Sequence, residues 1–314
     1  MRIKLLGMML ASVLLAACNH TTYKPIDDEK SFIASVNIDE PSIDFIDEKG
    51  KQLAVWPLSE SYSGATLIGD DRILLYGHHL DHADIVQLST GKQLTTLETG
   101  EGATNAIYDA HTKLVYIANS WTNEVTAYDK EGTLQATRHT GTYPMSMLVH
   151  DGQLFVVNFK ETTLSVLDAT TLKKRDTWDI PKSSNGLVVV GDELWIGGHG
   201  SGSKPNDIVE RRHLQTGKTL AKLKLPLMPI AFLKHDDYVY ALSHGENVLH
   251  QLNDRGKDVA QVDVASNPFA IASFADKLIV TGYDDHKLYW IDEMNVTKSQ
   301  DVGEGPFQLL VREK

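Results

Sequence analysis

A unit of about 40 residues recurs seven times between residue 31 and the C-terminus, and this repeat constrains the fold more than any other feature of the chain. Each copy begins with a short apolar strand that ends in an Asp-rich turn. Three further strands follow, separated by a polar loop and by a second turn. Self-similarity at this spacing is typical of β-propellers and solenoids.

The second strand of each copy is the most regular element of the repeat. β-branched and aromatic residues dominate these strands, and none contains proline, as expected of interior strands. No segment sustains a 3.6-residue apolar period, which excludes a helical solenoid. Successive copies lie roughly 39 to 45 residues apart, and the strands are predicted at 32–36, 73–77, 115–119, 154–158, 194–198, 239–243 and 278–282.

The first strands of the repeat indicate how the chain closes on itself. They are predicted at 65–68, 104–108, 144–148, 186–190, 229–233, 268–272 and 306–310. The last of them has no second strand after it, whereas the N-terminal copy starts with a second strand. Pairing 306–311 with 32–36 completes one blade from both chain ends and removes the open sheet edges.

We therefore predict an all-β fold, a single seven-bladed β-propeller domain of four-stranded blades over residues 31–314. An open β-solenoid is the alternative, but its repeats are usually shorter and it needs separate caps. The split ends favour a closed ring.

The N-terminus has a different character. Arg2 and Lys4 precede an apolar run, residues 5–17, which is long enough for a signal-peptide core but too short to span a membrane stably. The run ends in Leu-Ala-Ala-Cys, which resembles the lipobox of bacterial lipoproteins. The resemblance implies that residues 1–17 are removed and that Cys18 is acylated. Residues 18–30 are predicted to be the lipidated cysteine and a flexible tether with a reach of roughly 20 Å.

Composition and the lipobox together predict a cellular location and a set of partners. Cys18 is the only cysteine, so no disulfides form, and 42 acidic residues against 30 basic ones disfavour nucleic acid as a partner. We expect an exported monomer, anchored to the lipid bilayer through the acylated cysteine. It would lie on the outer face of the cytoplasmic membrane or, in a Gram-negative cell, on the outer membrane facing the periplasm.

Two repeats resemble a known family. Their second strands read Val-Tyr-Ile-Ala-Asn at 115–119 and Leu-Phe-Val-Val-Asn at 154–158, and Asp129 and Asp168 end the third strands that follow. These residues resemble the YVTN family of bacterial propeller repeats. The resemblance implies the architecture and a surface or periplasmic location. It does not choose among the functions of related propellers, which include lactonases, streptogramin lyases and quinoprotein amine dehydrogenase subunits.

Candidate ligand-binding residues are predicted at one rim of the propeller. The loops from second to third strands and the loops between blades lie on the same face, around the central channel. Histidine, tyrosine, amide and carboxylate side chains there can bind a ligand, or they can simply satisfy hydrogen bonds at the blade ends. The candidates are His78, Glu101, Asn119, Tyr143, Asn158, His199, His244, Tyr283 and Glu304.

The sequence offers little support for a cofactor. The densest cluster of possible metal ligands is His78, His79, Asp81 and His82, which would suit a divalent metal. The chain has no CxxCH motif for covalent haem and no second cysteine for a cysteine-derived quinone, so we expect neither. Residues 199–204 lack the order of a phosphate-binding loop and are predicted to be a flexible loop.

Two functions remain open at this point. The first is a binding module for a protein, peptide or glycan partner, which needs no special residues. The alternative is a metal-assisted lyase or lactonase that uses His78, His199, His244 and a carboxylate such as Glu101 or Glu304. That alternative requires at least two of these histidines to lie close to a shared point on the channel axis. No catalytic residue is assigned.

Overall fold

The computed structural model describes residues 22–314, which form seven sheets of four antiparallel strands in a ring, a seven-bladed β-propeller. This confirms the predicted fold class. The predicted signal peptide and Cys18 lie outside the described residues. Within residues 22–314, no helix is long and apolar enough to cross a membrane.

Each blade runs from an inner strand beside the central channel to an outermost strand at the periphery. The blades are numbered 1 to 7 in the chain order of their second strands. Blade 1 takes its inner strand from the C-terminus. The blades are, from inner to outer strand, β30 (Pro306–Arg312), β1 (Phe32–Asn37), β2 (Ser42–Ile46) and β3 (Gln52–Pro57); β4 (Gly64–Ile68), β5 (Arg72–Tyr76), β6 (His82–Gln87) and β7 (Gln93–Glu98); β8 (Ala103–Asp109), β9 (Leu114–Asn119), β10 (Glu124–Asp129) and β11 (Leu134–His139); β12 (Pro144–His150), β13 (Gln153–Asn158), β14 (Thr163–Asp168) and β15 (Lys174–Asp179); β16 (Ser184–Val190), β17 (Glu193–Gly198), β20 (Ile208–His213) and β21 (Thr219–Lys224); β22 (Pro229–His235), β23 (Tyr238–Ser243), β24 (Val248–Leu252) and β25 (Asp258–Asp263); and β26 (Ile271–Phe274), β27 (Lys277–Gly282), β28 (Lys287–Asp292) and β29 (Asn295–Asp301).

The core consists of apolar layers between consecutive blades. The second strands are covered on both faces, and every residue of β1, β9 and β13 is buried. In blade 1, the ring of Phe45 lies between those of Phe32 and Trp56, with centroids 5.2 and 4.8 Å away. Burial on both faces explains why the second strands read as continuous apolar runs.

Ring closure rests on the pairing of β30 with β1, whose register runs from Phe32↔Arg312 to Asn37↔Pro306. Arg312 reinforces this pairing. Its guanidinium donates to the carbonyl of Lys30 at 2.8 and 3.0 Å and to that of Asp70, in blade 2, at 2.8 Å. The predicted pairing of the two chain ends is confirmed.

Two local elements differ from the prediction. The inner strand predicted at 268–272 begins only at Ile271, because the amides of Phe269 and Ala270 donate to the hydroxyl of Thr281, at 3.4 and 3.0 Å. The segment predicted to be a flexible loop in blade 5 contains a small hairpin, β18 (Gly200–Ser201) and β19 (Lys204–Pro205).

Residues 22–30 also differ from the prediction, because they pack against blades 1 and 2 instead of forming a flexible tether. The amides of Tyr23 and Ile26 donate to carbonyls around the turn between β6 and β7, at 2.7 and 2.8 Å. The ring of Tyr23 stacks on Trp56 with centroids 4.6 Å apart, and Ile26 is only 2% exposed. Two apolar side chains are thus enough to bury part of a segment whose overall composition is polar.

The packing of this segment generates a stability prediction. Ile26→Ala is expected to lower the free energy of unfolding by about 2–4 kcal/mol, because it leaves a cavity in a buried apolar layer. Urea denaturation of the Cys18-free protein measures the change. Glu29→Ala, at an exposed position of the same segment, serves as the control and should change stability by no more than about 0.5 kcal/mol. Equal, near-zero effects of both substitutions would mean that the segment is not part of the core.

Candidate functional site

Aromatic and imidazole rings line the rim of the propeller at the mouth of the central channel. Neighbouring ring centroids lie between 4.5 and 6.4 Å apart, mostly in tilted or edge-to-face arrangements. The set, named the aromatic collar below, draws on all seven blades. It comprises Trp121, His78, Tyr143, Phe159, His199, His244, Phe269, Tyr283 and Phe307. Five predicted ligand-binding residues, His78, Tyr143, His199, His244 and Tyr283, are therefore brought together.

A repeated backbone arrangement positions the collar. In six of the seven blades, a carbonyl of the inter-blade loop that leads into the inner strand accepts a hydrogen bond from the amide just after the second strand. Phe159 donates in this way to Tyr143 at 2.9 Å, and His199 donates to Ser183 at 3.0 Å. In six of the inter-blade loops, the accepting residue has a positive φ: Gly102, Tyr143, Ser183, Met228, Asn267 and Gly305.

Tyr143 is the most informative of these positions. Its φ of 62° is unfavourable for a residue with a large side chain. The backbone conformation is held by the hydrogen bond from Phe159 and by a second one, in which the Tyr143 amide donates to the Asn123 side chain at 2.9 Å. The backbone that carries the Tyr143 ring is therefore held in place without a ligand.

Two of the collar histidines are neutral at pH 7. Burial lowers the pKa of His199, and the nearby His244 lowers it further. Burial and the neighbouring His79 also lower the pKa of His78. Nδ1 of His244 lies 3.0 Å from the carbonyl oxygen of Pro268, so in the neutral ring this nitrogen donates and Nε2 is left as an acceptor. The collar thus offers uncharged imidazole groups to a ligand.

Charged groups contact the collar at two points. Nζ of Lys160 lies 4.2 Å from the ring centroid of Tyr143, a cation–π contact. The hydroxyl of Tyr283 donates to Asp39 at 2.6 Å. Burial and the hydrogen bond to Asp39 raise the pKa of Tyr283 to about 12, so this hydroxyl keeps its proton.

Four predicted ligand-binding residues lie outside the collar. Glu101 and Glu304 are exposed in inter-blade loops. Asn119 is buried, and its amide donates to two carbonyls of one rim loop while its oxygen accepts from two amides of the next. Asn158 is buried and bonded to rim groups in a similar way. Both asparagines hold the rim loops in place.

The histidine cluster after β5 does not converge on one point. The rings of His78 and His79 have centroids 4.9 Å apart. His82 faces the gap between blades 1 and 2, where its Nδ1 lies 2.9 Å from Asp81 and its Nε2 lies 3.4 Å from Glu60. In the described part of the chain, no group of three or more His, Cys, Asp or Glu side chains is arranged to hold a metal ion.

The histidines named for the lyase or lactonase alternative are only partly assembled. His199 and His244 are neighbours, with ring centroids 5.8 Å apart. His78 lies further along the collar, beyond Phe159 and Tyr143. The structure thus provides one histidine pair at the channel mouth.

The central channel contains a cavity of about 410 Å³. All the side chains that line it are uncharged, although the chain carries a net charge of −12. The lining combines the rings of Phe232, Phe269 and Phe307 with the amides of Asn105 and Asn185. The channel therefore offers hydrogen bonds and apolar contact to a ligand group, but no charged side chain to pair with a charge.

Four collar rings are not among the ligand-binding residues predicted from the sequence. Phe159 directly follows its second strand, as the predicted His199 does. Phe269 and Phe307 each follow a proline at the start of an inner-strand segment. That shared position, next to the channel, is a signal from which they could have been found. Trp121, which is 55% exposed, lies in the loop between β9 and β10 and carries no comparable signal.

A polar residue at the third position of each third strand is also absent from the sequence prediction. Asp44 accepts a hydrogen bond from the amide of Gly303 at 2.9 Å, and Asp84 accepts one from the hydroxyl of Tyr62 at 2.5 Å. Both donors belong to the inter-blade loop that precedes the blade, so these carboxylates tie the rim to the strands beneath it. The equivalent residues are Asp44, Asp84, Thr126, Ser165, Glu210, His250 and Tyr289.

Solved structures place the chain among β-propeller proteins. A functionally unknown protein from Desulfotomaculum acetoxidans aligns with a TM-score of 0.76 at 10% identity, over 89% of this chain and 98% of that one. Apo AztD from Citrobacter koseri aligns with a TM-score of 0.63 at 13% identity, over 90% and 97%. BamB from Moraxella catarrhalis aligns with a TM-score of 0.59 at 16% identity, over 84% and 82%. No protein-family model and no curated protein matches the chain.

At these identities the similarity shows the fold alone. The YVTN resemblance and the lipid anchor therefore stay predictions. A shared fold does not define a ligand or an activity, because these depend on the residues of the site.

A cavity of about 350 Å³ between blades 1 and 2 contains a histidine among carboxylates. Burial by itself would lower the pKa of His82, but its hydrogen bond to Asp81 and the charges of Asp84 and Glu60 raise it overall. A raised pKa in the folded state means that the folded protein binds the proton more tightly than the unfolded chain does. Protonated His82 therefore stabilises the fold below the unfolded pKa of about 6.5, and this contribution disappears as the pH rises through the folded value.

The pH dependence of stability tests this cavity. The Tm of the wild type is expected to fall as the pH rises from about 6 to about 8. In His82→Gln this fall should be smaller, because the variant has no proton to lose at that position. Thermal unfolding at several pH values measures it. His150→Gln is the control, since its partner Asp151 is largely exposed, and it should leave the slope unchanged. A wild-type slope retained by His82→Gln would contradict the assignment.

Proposed function

We propose that this protein is an exported, lipid-anchored β-propeller that binds a protein or peptide partner on its aromatic collar. The observation that carries the proposal is the collar itself, a row of half-buried rings around the channel mouth with centroids 4.5 to 6.4 Å apart. Tyrosine and tryptophan are enriched at the centres of protein interfaces, where they supply much of the binding energy.

Trp121 is the anchor residue of the proposed interface. The residue is 55% exposed, and its indole contacts His78 edge-to-face, with ring centroids 5.9 Å apart. An exposed indole that is braced by a neighbouring ring loses little conformational freedom on binding. The backbone of the rim loops that carry the neighbouring rings is held by hydrogen bonds, which further reduces the cost of ordering the site.

The collar histidines and the channel lining are uncharged, which favours a neutral or weakly polar contact surface. His78 and His199 are uncharged at pH 7 because burial lowers the pKa of each. The cavity beneath the collar has only uncharged lining residues. We infer that the partner places apolar or neutral side chains over the channel mouth. A glycan that stacks on the same rings would be a different outcome of the test below.

The lipid anchor comes from the sequence at residues 15–18. Two or three acyl chains on Cys18 would hold the protein stably at a membrane outside the cytoplasm, where one chain would not. With one cysteine the chain can form no internal disulfide, so at such a location its stability would depend on the closed ring.

Partner capture followed by affinity measurement tests the collar. A photo-reactive phenylalanine analogue at position 159 should cross-link the partner in cells, whereas the same analogue at position 220, on an outer strand, should not. With the captured partner, Trp121→Ala is expected to weaken binding at least tenfold, or about 1.4 kcal/mol, as the loss of a central interface tryptophan does.

Leu134→Ala is the matched control, because Leu134 belongs to the same blade and is 54% exposed. It should leave the affinity unchanged. Equal cross-linking from positions 159 and 220, or a loss of affinity in Leu134→Ala alone, would contradict binding at the collar. Capture of a glycan would mean that the collar is the binding site but that its partner is not a protein or peptide.

The anchor is tested separately. Cys18→Ser is expected to abolish incorporation of labelled palmitate and to release the protein from the membrane fraction, since no other cysteine can accept the acyl chain. Incorporation that persists in this variant, or its absence in the wild type, would refute the anchor while leaving the collar hypothesis intact.

A further inference from the structure

The described chain begins on the face of the propeller opposite the collar. The amide of Tyr23 donates to the carbonyl of Gly91 at 2.7 Å, and Thr22 forms a β-bridge with Lys92. Gly91 and Lys92 lie in the turn between β6 and β7. This turn and the collar loops are at opposite ends of the strands, because the collar loops follow the second strands and this turn follows the third.

The segment after this point is held along the same face. The indole of Trp56 donates to the carbonyl of Lys24 at 2.8 Å, and the ring of Tyr23 stacks on it. The guanidinium of Arg312 donates to the carbonyls of Asp27 and Lys30. These contacts prevent residues 22–30 from swinging toward the rim.

The distance from the anchor is short. Cys18 lies four residues before Thr22, so even a fully extended chain places the cysteine at most about 14 Å from it. A six-residue strand is already about 20 Å long, and the rim loops add to that height. If the rim face lay flat on a bilayer, the chain would be too short for the acylated cysteine to reach that bilayer.

The face opposite the collar also exposes apolar side chains around its perimeter. They lie at the first or second position of the outermost strands, directly after the turns of that face. Each is between 41% and 54% exposed: Leu94, Leu134, Leu220, Val259 and Val296. Side chains of this kind can enter the headgroup boundary of a bilayer that is held close by an anchor.

We propose that the face opposite the collar lies against the surface of the bilayer and that the collar faces away from the membrane. The inference rests on the proposed anchor at Cys18 and extends it to an orientation. Because the chain carries a net charge of −12, the matching surface is one of zwitterionic lipid headgroups. The partner of the collar then approaches from the aqueous side.

The lone cysteine makes the orientation measurable. In the acylated full-length protein its thiol is blocked, so an introduced cysteine is the only free thiol. A fluorophore would be attached to Leu94→Cys or Leu220→Cys on the proposed membrane side and to Glu101→Cys or Lys160→Cys on the rim. All four positions are exposed and leave the core intact. Each labelled protein is reconstituted into phosphatidylcholine vesicles that carry a nitroxide on a fraction of the headgroups.

Quenching by the headgroup nitroxide is expected to be several-fold stronger for the labels at positions 94 and 220 than for those at 101 and 160. Equal quenching at all four positions, or stronger quenching at the rim, would overturn the orientation. Mass spectrometry of the reconstituted protein distinguishes the two levels of the proposal. Acylated protein with the wrong quenching pattern overturns the orientation alone, whereas protein without acyl chains on Cys18 overturns the anchor and the orientation together.

Discussion

The pairing of β30 with β1 is the contact on which the rest of the structure depends. It joins residues 280 positions apart in the chain, since Phe32 lies opposite Arg312, and it supplies blade 1 with its inner strand. Without this pairing the channel would be open on one side and the facing edges of β1 and β30 would both be unpaired. The closing of so long a loop costs chain entropy. The hydrogen bonds of Arg312 to Lys30 and Asp70 help to offset this cost by tying blade 1 to the N-terminal segment and to blade 2.

The collar exists because the closed ring is combined with stiff rim loops. Each blade contributes rings at similar positions, and closure brings these positions around one channel mouth. Two sets of hydrogen bonds then hold the loops. One joins inner-strand starts to second-strand ends, as in Phe159 with Tyr143, and the other runs from third-strand carboxylates such as Asp84 to the preceding inter-blade loop. The collar is thus preorganised, which favours recognition of a partner.

How much could be predicted depended on whether a feature was local. The second strand predicted at 115–119 is observed as Leu114–Asn119, because the apolar pattern of a strand is written in consecutive residues. The inner strand predicted at 268–272 begins only at Ile271. Two amides before it donate to the hydroxyl of Thr281, which lies on the second strand of the same blade. The tether prediction failed for residues 22–30 because the partners of Tyr23 and Ile26 lie in blades 1 and 2.

The same distinction applies to the candidate site. Asn158, like Tyr143, could be assigned to the rim from its repeat position. Whether such a side chain faces the channel or bonds to its own loop depends on contacts that the repeat does not encode. Asn158 is buried and bonded, whereas Tyr143 joins the collar.

The sequence by itself determined the seven-fold repeat, the strand pattern and the joining of the chain ends, because periodic burial and turn residues act over a few neighbouring positions. Only the tertiary structure decided which rim residues meet and on which face the chain enters. His78 and Tyr143, for example, have ring centroids 6.4 Å apart although 65 positions separate them in the chain. Their distance is set by the packing between blades and by ring closure, which involve every blade at once and leave no local trace in the sequence.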